Sequence, residues 1–198
     1  MPVTSLPPAQ EAELSLSVER AYREALVTDR LGALWSLILA KCFLAQWAIE
    51  RFAIPIRGFF YIWALTLTMA SVASLYYLHA HRVKLYLLPT HFRVNAAVLA
   101  GLVVSLGFIV YAYGVLGLMP APVATALACA LLGSWSLARA ALRRAWEPLL
   151  GALLWWGCAG TALQAPAGQS LLWIGLGLLF AQALPGFAVA ARAAARRV

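Results

Sequence analysis

Few residues of this chain have the chemistry to do more than pack. The first is Lys41, an ammonium near the middle of LGALWSLILAKCFLAQWAI, residues 31–49. That run is 19 residues long and apolar apart from Lys41 and Gln46. A helix of this length matches a hydrocarbon core of roughly 30 Å at about 1.5 Å per residue. An ionisable group at mid-depth costs about 2.5–3.5 kcal/mol on insertion scales, so its retention points to a role.

Other polar residues reach similar depth when the apolar runs are laid antiparallel: Thr68, Ser71, Ser105 and Gln182. Together with Lys41 they form the candidate intramembrane polar site, expected inside a helical bundle. No Asp or Glu reaches that depth. Three roles for Lys41 stay open: hydrogen bonding between helices, pairing with an acid on a partner's membrane helix, or holding an anionic substrate or relaying protons.

The histidines are His79, His81 and His91. Imidazoles on neighbouring helices can ligate haem or a metal. These three fall among Arg and Lys at an expected membrane interface, which favours headgroup contact over ligation. Cys42, Cys129 and Cys158 are far apart, none in a CxxC pair, and read as small packing residues. No cofactor is expected. Glu50 and Glu147, the acids beyond the N-terminal segment, are expected on opposite sides of the membrane and cannot form a catalytic carboxylate pair. HExxH, GxSxG, P-loop and GxGxxG patterns are absent. Trp155, Trp156 and Trp173 read as packing or interface residues. The chain is not expected to be an enzyme.

The elements that must position these groups follow from composition. The 198 residues are 64% hydrophobic and 11% charged, too little charge to coat a water-soluble domain of this size. In lipid the backbone must satisfy its own hydrogen bonds, and apolar runs of about twenty residues select helices over barrel strands. The expected fold is an all-α integral membrane protein, six transmembrane helices in a compact bundle with a short amphipathic N-terminal cytoplasmic helix. Residues 1–30 form a Pro-rich tail and that helix, whose apolar positions Leu14, Val18, Ala21, Tyr22 and Ala25 recur at steps of three and four. The spans are 31–49, 59–78, 95–119, 121–138, 148–163 and 170–191, and residues 192–198 form a basic cytoplasmic tail. Asn95 is expected to cap the third span. Pro185 and Gly186 predict a kink or break in the sixth. The acidic start of the chain is unlike a signal peptide.

The net charge of +8 falls in small Arg groups between apolar runs, not in a nucleic-acid-binding stripe. Twelve Lys and Arg lie on one expected side, only Arg51 and Arg57 on the other, and Lys41 between. Both termini are therefore expected in the cytoplasm. The Ala, Leu and Arg richness suggests a bacterial inner membrane. Small residues in span four suit a central helix or a contact with another subunit, including a second copy. The function expected is a non-enzymatic accessory, sensory or regulatory subunit acting through a partner protein with an acidic transmembrane residue. The alternative is a small transporter or a lipid- or anion-binding protein using Lys41 in the bundle interior.

Overall fold

In the computed structural model the described residues are 8–55, 59–80, 90–143 and 146–195, and they are helical with short connections. Side-chain surroundings are described from Asp29 onward, with gaps around the connections. The elements in chain order are α1 (Pro8–Arg51), α2 (Phe59–Ala80), α3 (Thr90–Gly114), α4 (Ala121–Arg143), α5 (Glu147–Gln164), a 3₁₀ turn (Ala167–Gln169), α6 (Ser170–Leu176), a π-helical segment (Gly177–Ala183) and α7 (Leu184–Ala195). No strand occurs among the described residues.

Among the described residues, three helices are long and apolar enough to cross a membrane: Asp29–Arg51 within α1, Ala121–Leu142 within α4, and Ser170–Arg192 through α6, the π segment and α7. The described apolar part of α3, Ala100–Gly114, is shorter.

Several expected boundaries change. The short N-terminal helix and the first span are one helix of 44 residues. The sequence gives the reason: no Pro or Gly lies between Ala9 and Leu31, so the polar stretch there has nothing to end the helix. The expected amphipathic face of residues 11–28 lies outside the described side chains. Asn95 does not cap α3, because the helix already runs from Thr90. The third span was expected to reach Met119, but α3 ends at Gly114 and the chain turns through Gly117 at φ +60°, a left-handed conformation that glycine adopts without steric cost.

The packing pattern is the reverse of a water-soluble protein. Among the described residues, eleven of the sixteen buried apolar ones are alanine. Large side chains point outward: Leu65, Met69, Val72 and Tyr76 on α2, and Val103, Val104, Phe108 and Val110 on α3. Small residues inside let helix backbones approach closely, and large ones outside suit a hydrocarbon solvent. The core proper gathers Ala40, Cys129, Trp155, Leu178 and Ala181, one or two residues from each of α1, α4, α5 and the π segment. Trp155 and Cys129 are its largest fully buried side chains. α4 and α5 form an extensive antiparallel pair, and α1 packs along α6, the π segment and α7. Glycines sit where these helices meet. A Cβ on Gly133 would lie 2.6 Å from the Trp156 ring, and one on Gly175 would lie 2.7 Å from Leu44.

α2 joins this core through α1. Trp35 Nε1 donates to Ser74 Oγ at 2.8 Å, and Ser74 donates in turn to the Ala70 carbonyl at 2.7 Å. Phe43 and Trp63 meet edge to face with centroids 5.2 Å apart. Ser74→Ala leaves the indole N–H without its acceptor. The expected cost is about 1 kcal/mol, read as a fall in the thermal unfolding midpoint in detergent, with Ser71→Ala on the exposed face of the same helix unchanged.

Candidate functional site

Charge collects at one end of the bundle. Asp29 enters from α1, Arg139 from the last turns of α4, Glu147 from the first turn of α5, and Arg192 from α7. The chain order explains the convergence. α4 runs into α5 through a connection of three residues, so the end of one lies beside the start of the other. α7 runs parallel to α4 and returns to the same end.

Two ion pairs of similar construction result. Arg192 Nη1 lies 2.6 Å from Glu147 Oε1, and its guanidinium sits over the Trp146 ring at 4.6 Å. Arg139 Nη2 lies 3.6 Å from Asp29 Oδ1, and its guanidinium sits over the Trp135 ring at 4.8 Å. In each case an indole face and a carboxylate both contact one planar cation, a geometry arginine satisfies and lysine does not. Trp135 and Arg139 are four residues apart on α4 and so share a face. The Glu147 carboxylate is buried, with 7% of its side chain exposed, whereas Arg192 is 48% exposed. Glu147 also opens α5, with Pro148 following it, so its negative charge meets the positive end of the helix dipole.

Below these pairs a small cleft lies between α4 and the π segment. Ser136, Arg139, Pro148, Gln182 and Pro185 are among its walls, and it encloses about 20 Å³. Gln182 belongs to the π segment, where Leu184 donates its N–H to Leu179 O, five residues back. The next residue, Pro185, has no N–H to give to Ala181 four residues back, and its ring would crowd that carbonyl in an α-helix. The wider π turn accommodates the proline. The expected kink or break at Pro185 and Gly186 is thus a bulge just before them, and helix continues through both sides.

The candidate polar cluster is not assembled. Ala33, Ser36 and Ala40 form one buried stripe of α1 and Cys42 is buried on another side, while Lys41, about 100° of turn from both Ala40 and Cys42, is exposed between them. Thr68 and Ser71 are exposed on α2. Ser105 donates to its own helix at Gly101 O, 2.9 Å away. Only Gln182 of the five lines the interior cleft. The structure does not bring Lys41 beside Gln182 and Thr68: rotation about the helix axes sends these side chains apart. Among the histidines, His79 is exposed at the end of α2; His81 and the side chain of His91 lie outside the described residues. The three cysteines are free thiols, Cys42 and Cys129 buried and Cys158 half-buried. Among the described residues no cluster of His, Cys, Asp or Glu has the makings of a metal site.

From sequence, Glu147 is named only as an acid without a catalytic partner, and Asp29, Arg139, Arg192 and Ser136 are not singled out as site residues. The arginines were used up as topology signals. The Trp-x₃-Arg spacing at 135–139 and the Trp-Glu-Pro run at 146–148 were the signals present.

Among the described residues, fold and site together define an all-helical structure with three helices long and apolar enough to cross a membrane and two ion pairs at one end. No protein-family model, curated protein or solved structure matches the chain.

Proposed function

We propose that this chain is a six-span, non-enzymatic accessory, sensory or regulatory subunit of a bacterial inner membrane, working through a partner protein. The observation that carries the reading is the outward direction of Lys41. Lys41 stands ten residues from Arg51 in the 23-residue span Asp29–Arg51, about 15 Å of helix rise from that end. It makes no hydrogen bond or ion pair among the described residues. A lone ammonium facing lipid at that depth is costly, and an acid on a partner's membrane helix relieves the cost. Leu34, Leu37 and Ala45 share its exposed face at steps of three and four, so a second helix can lie along it with apolar contact on both sides of the charge.

A second copy of this chain is a poor occupant of that face, because two-fold pairing would bring like charges together. A transport path lined by Lys41, Gln182 and Pro185 keeps the last two together on the cleft but has Lys41 exposed on the outside of α1. The count of Lys and Arg supports placing the ion-pair end in the cytoplasm. The exposed rim there suits anionic headgroups.

Purification of wild type and Lys41→Met in mild detergent tests the reading. The wild type is expected to carry a stoichiometric protein with Asp or Glu in a membrane helix. Lys41→Met is expected to lose it at least tenfold while keeping its elution volume and thermal midpoint, since the side chain is exposed on the outside of α1. Retention of the same partner by Lys41→Met would contradict the assignment.

A further inference from the structure

We propose that the cleft between α4 and the π segment is a binding site for one ordered water molecule, which donates to Gln182 Oε1. That oxygen is buried and accepts no hydrogen bond from any described group. A buried amide carbonyl without a donor is unfavourable and rare in stable folds. The oxygen belongs to a side chain that lines the cleft, and the cleft's other polar walls are Ser136 and Arg139. A water there has three polar neighbours: it donates to Gln182, accepts from an Arg139 N–H, and exchanges with the Ser136 hydroxyl. Buried waters typically have two to four such partners.

Size decides the ligand class. About 20 Å³ exceeds the roughly 10–15 Å³ that one water requires. That is room for one water. The cleft also has a structural origin. The π turn accommodates Pro185, and it carries Gln182 on the wall of the cleft opposite Ser136 and Arg139 of α4, with Pro148 of α5 beside them. π bulges recur at functional positions in helices, and a water bridging this one to Arg139 ties the bulge to the Asp29–Arg139 pair. The end of α4 and the middle of the last helix then move as one body.

Gln182→Met is the test, because the sign of its effect separates a wet cleft from a dry one. Methionine keeps the length and removes the carbonyl. With water present, the substitution strips that water of an acceptor, and the thermal midpoint is expected to fall by about 2–4 °C. In a dry cleft, removing an orphaned carbonyl raises the midpoint or leaves it unchanged, and either result overturns the proposal. An experimental map at about 2 Å gives the second readout. A density peak within hydrogen-bond distance of Gln182 Oε1 and of Arg139 or Ser136 is expected in the wild type. An empty cleft in that map overturns the proposal whatever the variant does.

Discussion

Gly151→Ala is expected to lower the yield of monodisperse protein sharply and to destabilise the bundle by about 3 kcal/mol, the upper end of the usual range for overpacking. A Cβ on Gly151 meets the backbone carbonyl of Ala181 in the π segment. That carbonyl is the one Pro185 cannot satisfy along its own helix. A backbone group held in a helix has no rotamer with which to move aside, so α5 and the π segment must separate. Their separation opens the core at Trp155 and Ala181, which pack there together. The control lies on the same helix. A Cβ on Gly157 or Gly160 meets nothing within 4 Å. Alanine at either is expected to be neutral or to stabilise α5 by about 0.5–1 kcal/mol through helix propensity. Thermal unfolding of the three variants reads both directions. Equal behaviour of Gly151→Ala and Gly157→Ala would show that α5 does not pack on the π segment through Gly151.

The second large effect is an asymmetry within one ion pair. Arg192→Ala leaves the Glu147 carboxylate buried without its cation, a loss of about 3–5 kcal/mol for a buried pair, and nearer 3 kcal/mol here because Arg192 is 48% exposed. Glu147→Ala removes the buried charge itself and leaves an arginine that reaches water and still stacks on Trp146. Its expected cost is about 1 kcal/mol. Substituting the exposed member of the pair should therefore do more damage than substituting the buried one. A double variant lacking both side chains should resemble Glu147→Ala rather than the sum of the two losses. Equal single-variant effects would mean that Glu147 is hydrated in the membrane-embedded protein.

The length and polarity of the apolar runs made the helices legible; the boundaries of α2 and α5 follow the runs closely, while α4 continues to Arg143, past the expected end at Ala138. Rotation about each helix axis was not legible by the usual means. A segment apolar all round has no polar face to mark its outside. Lys41 was therefore assigned to the interior because it is polar, the rule for water turned over. Residue size holds the missing information. Ala33, Ser36 and Ala40 recur at steps of three and four, and that small-residue stripe is buried on α1. Lys41 is not on it. α1 was divided at residue 30 because polarity changes there, yet helices end at breakers and caps, and none intervenes. The site at the charged end needed tertiary contact to be seen. Asp29 and Arg139 are 110 positions apart, and Glu147 and Arg192 are 45 apart, so nothing local couples them. The π bulge was half visible: Pro185 announced a disturbance, but nothing local in the sequence distinguishes a kink, a break and a widened turn.

The central claim is that Lys41 faces a partner helix rather than the bundle or lipid. A photo-crosslinking amino acid at position 41, activated in native membranes, tests it most directly, with the same group at Leu65 on the exposed face of α2 as the lipid-facing comparison. Position 41 is expected to give one dominant protein adduct, its crosslinked peptide lying within an apolar run that carries Asp or Glu, while position 65 gives lipid adducts. Lipid adducts alone at position 41, or adducts within this chain's own core, would contradict the account.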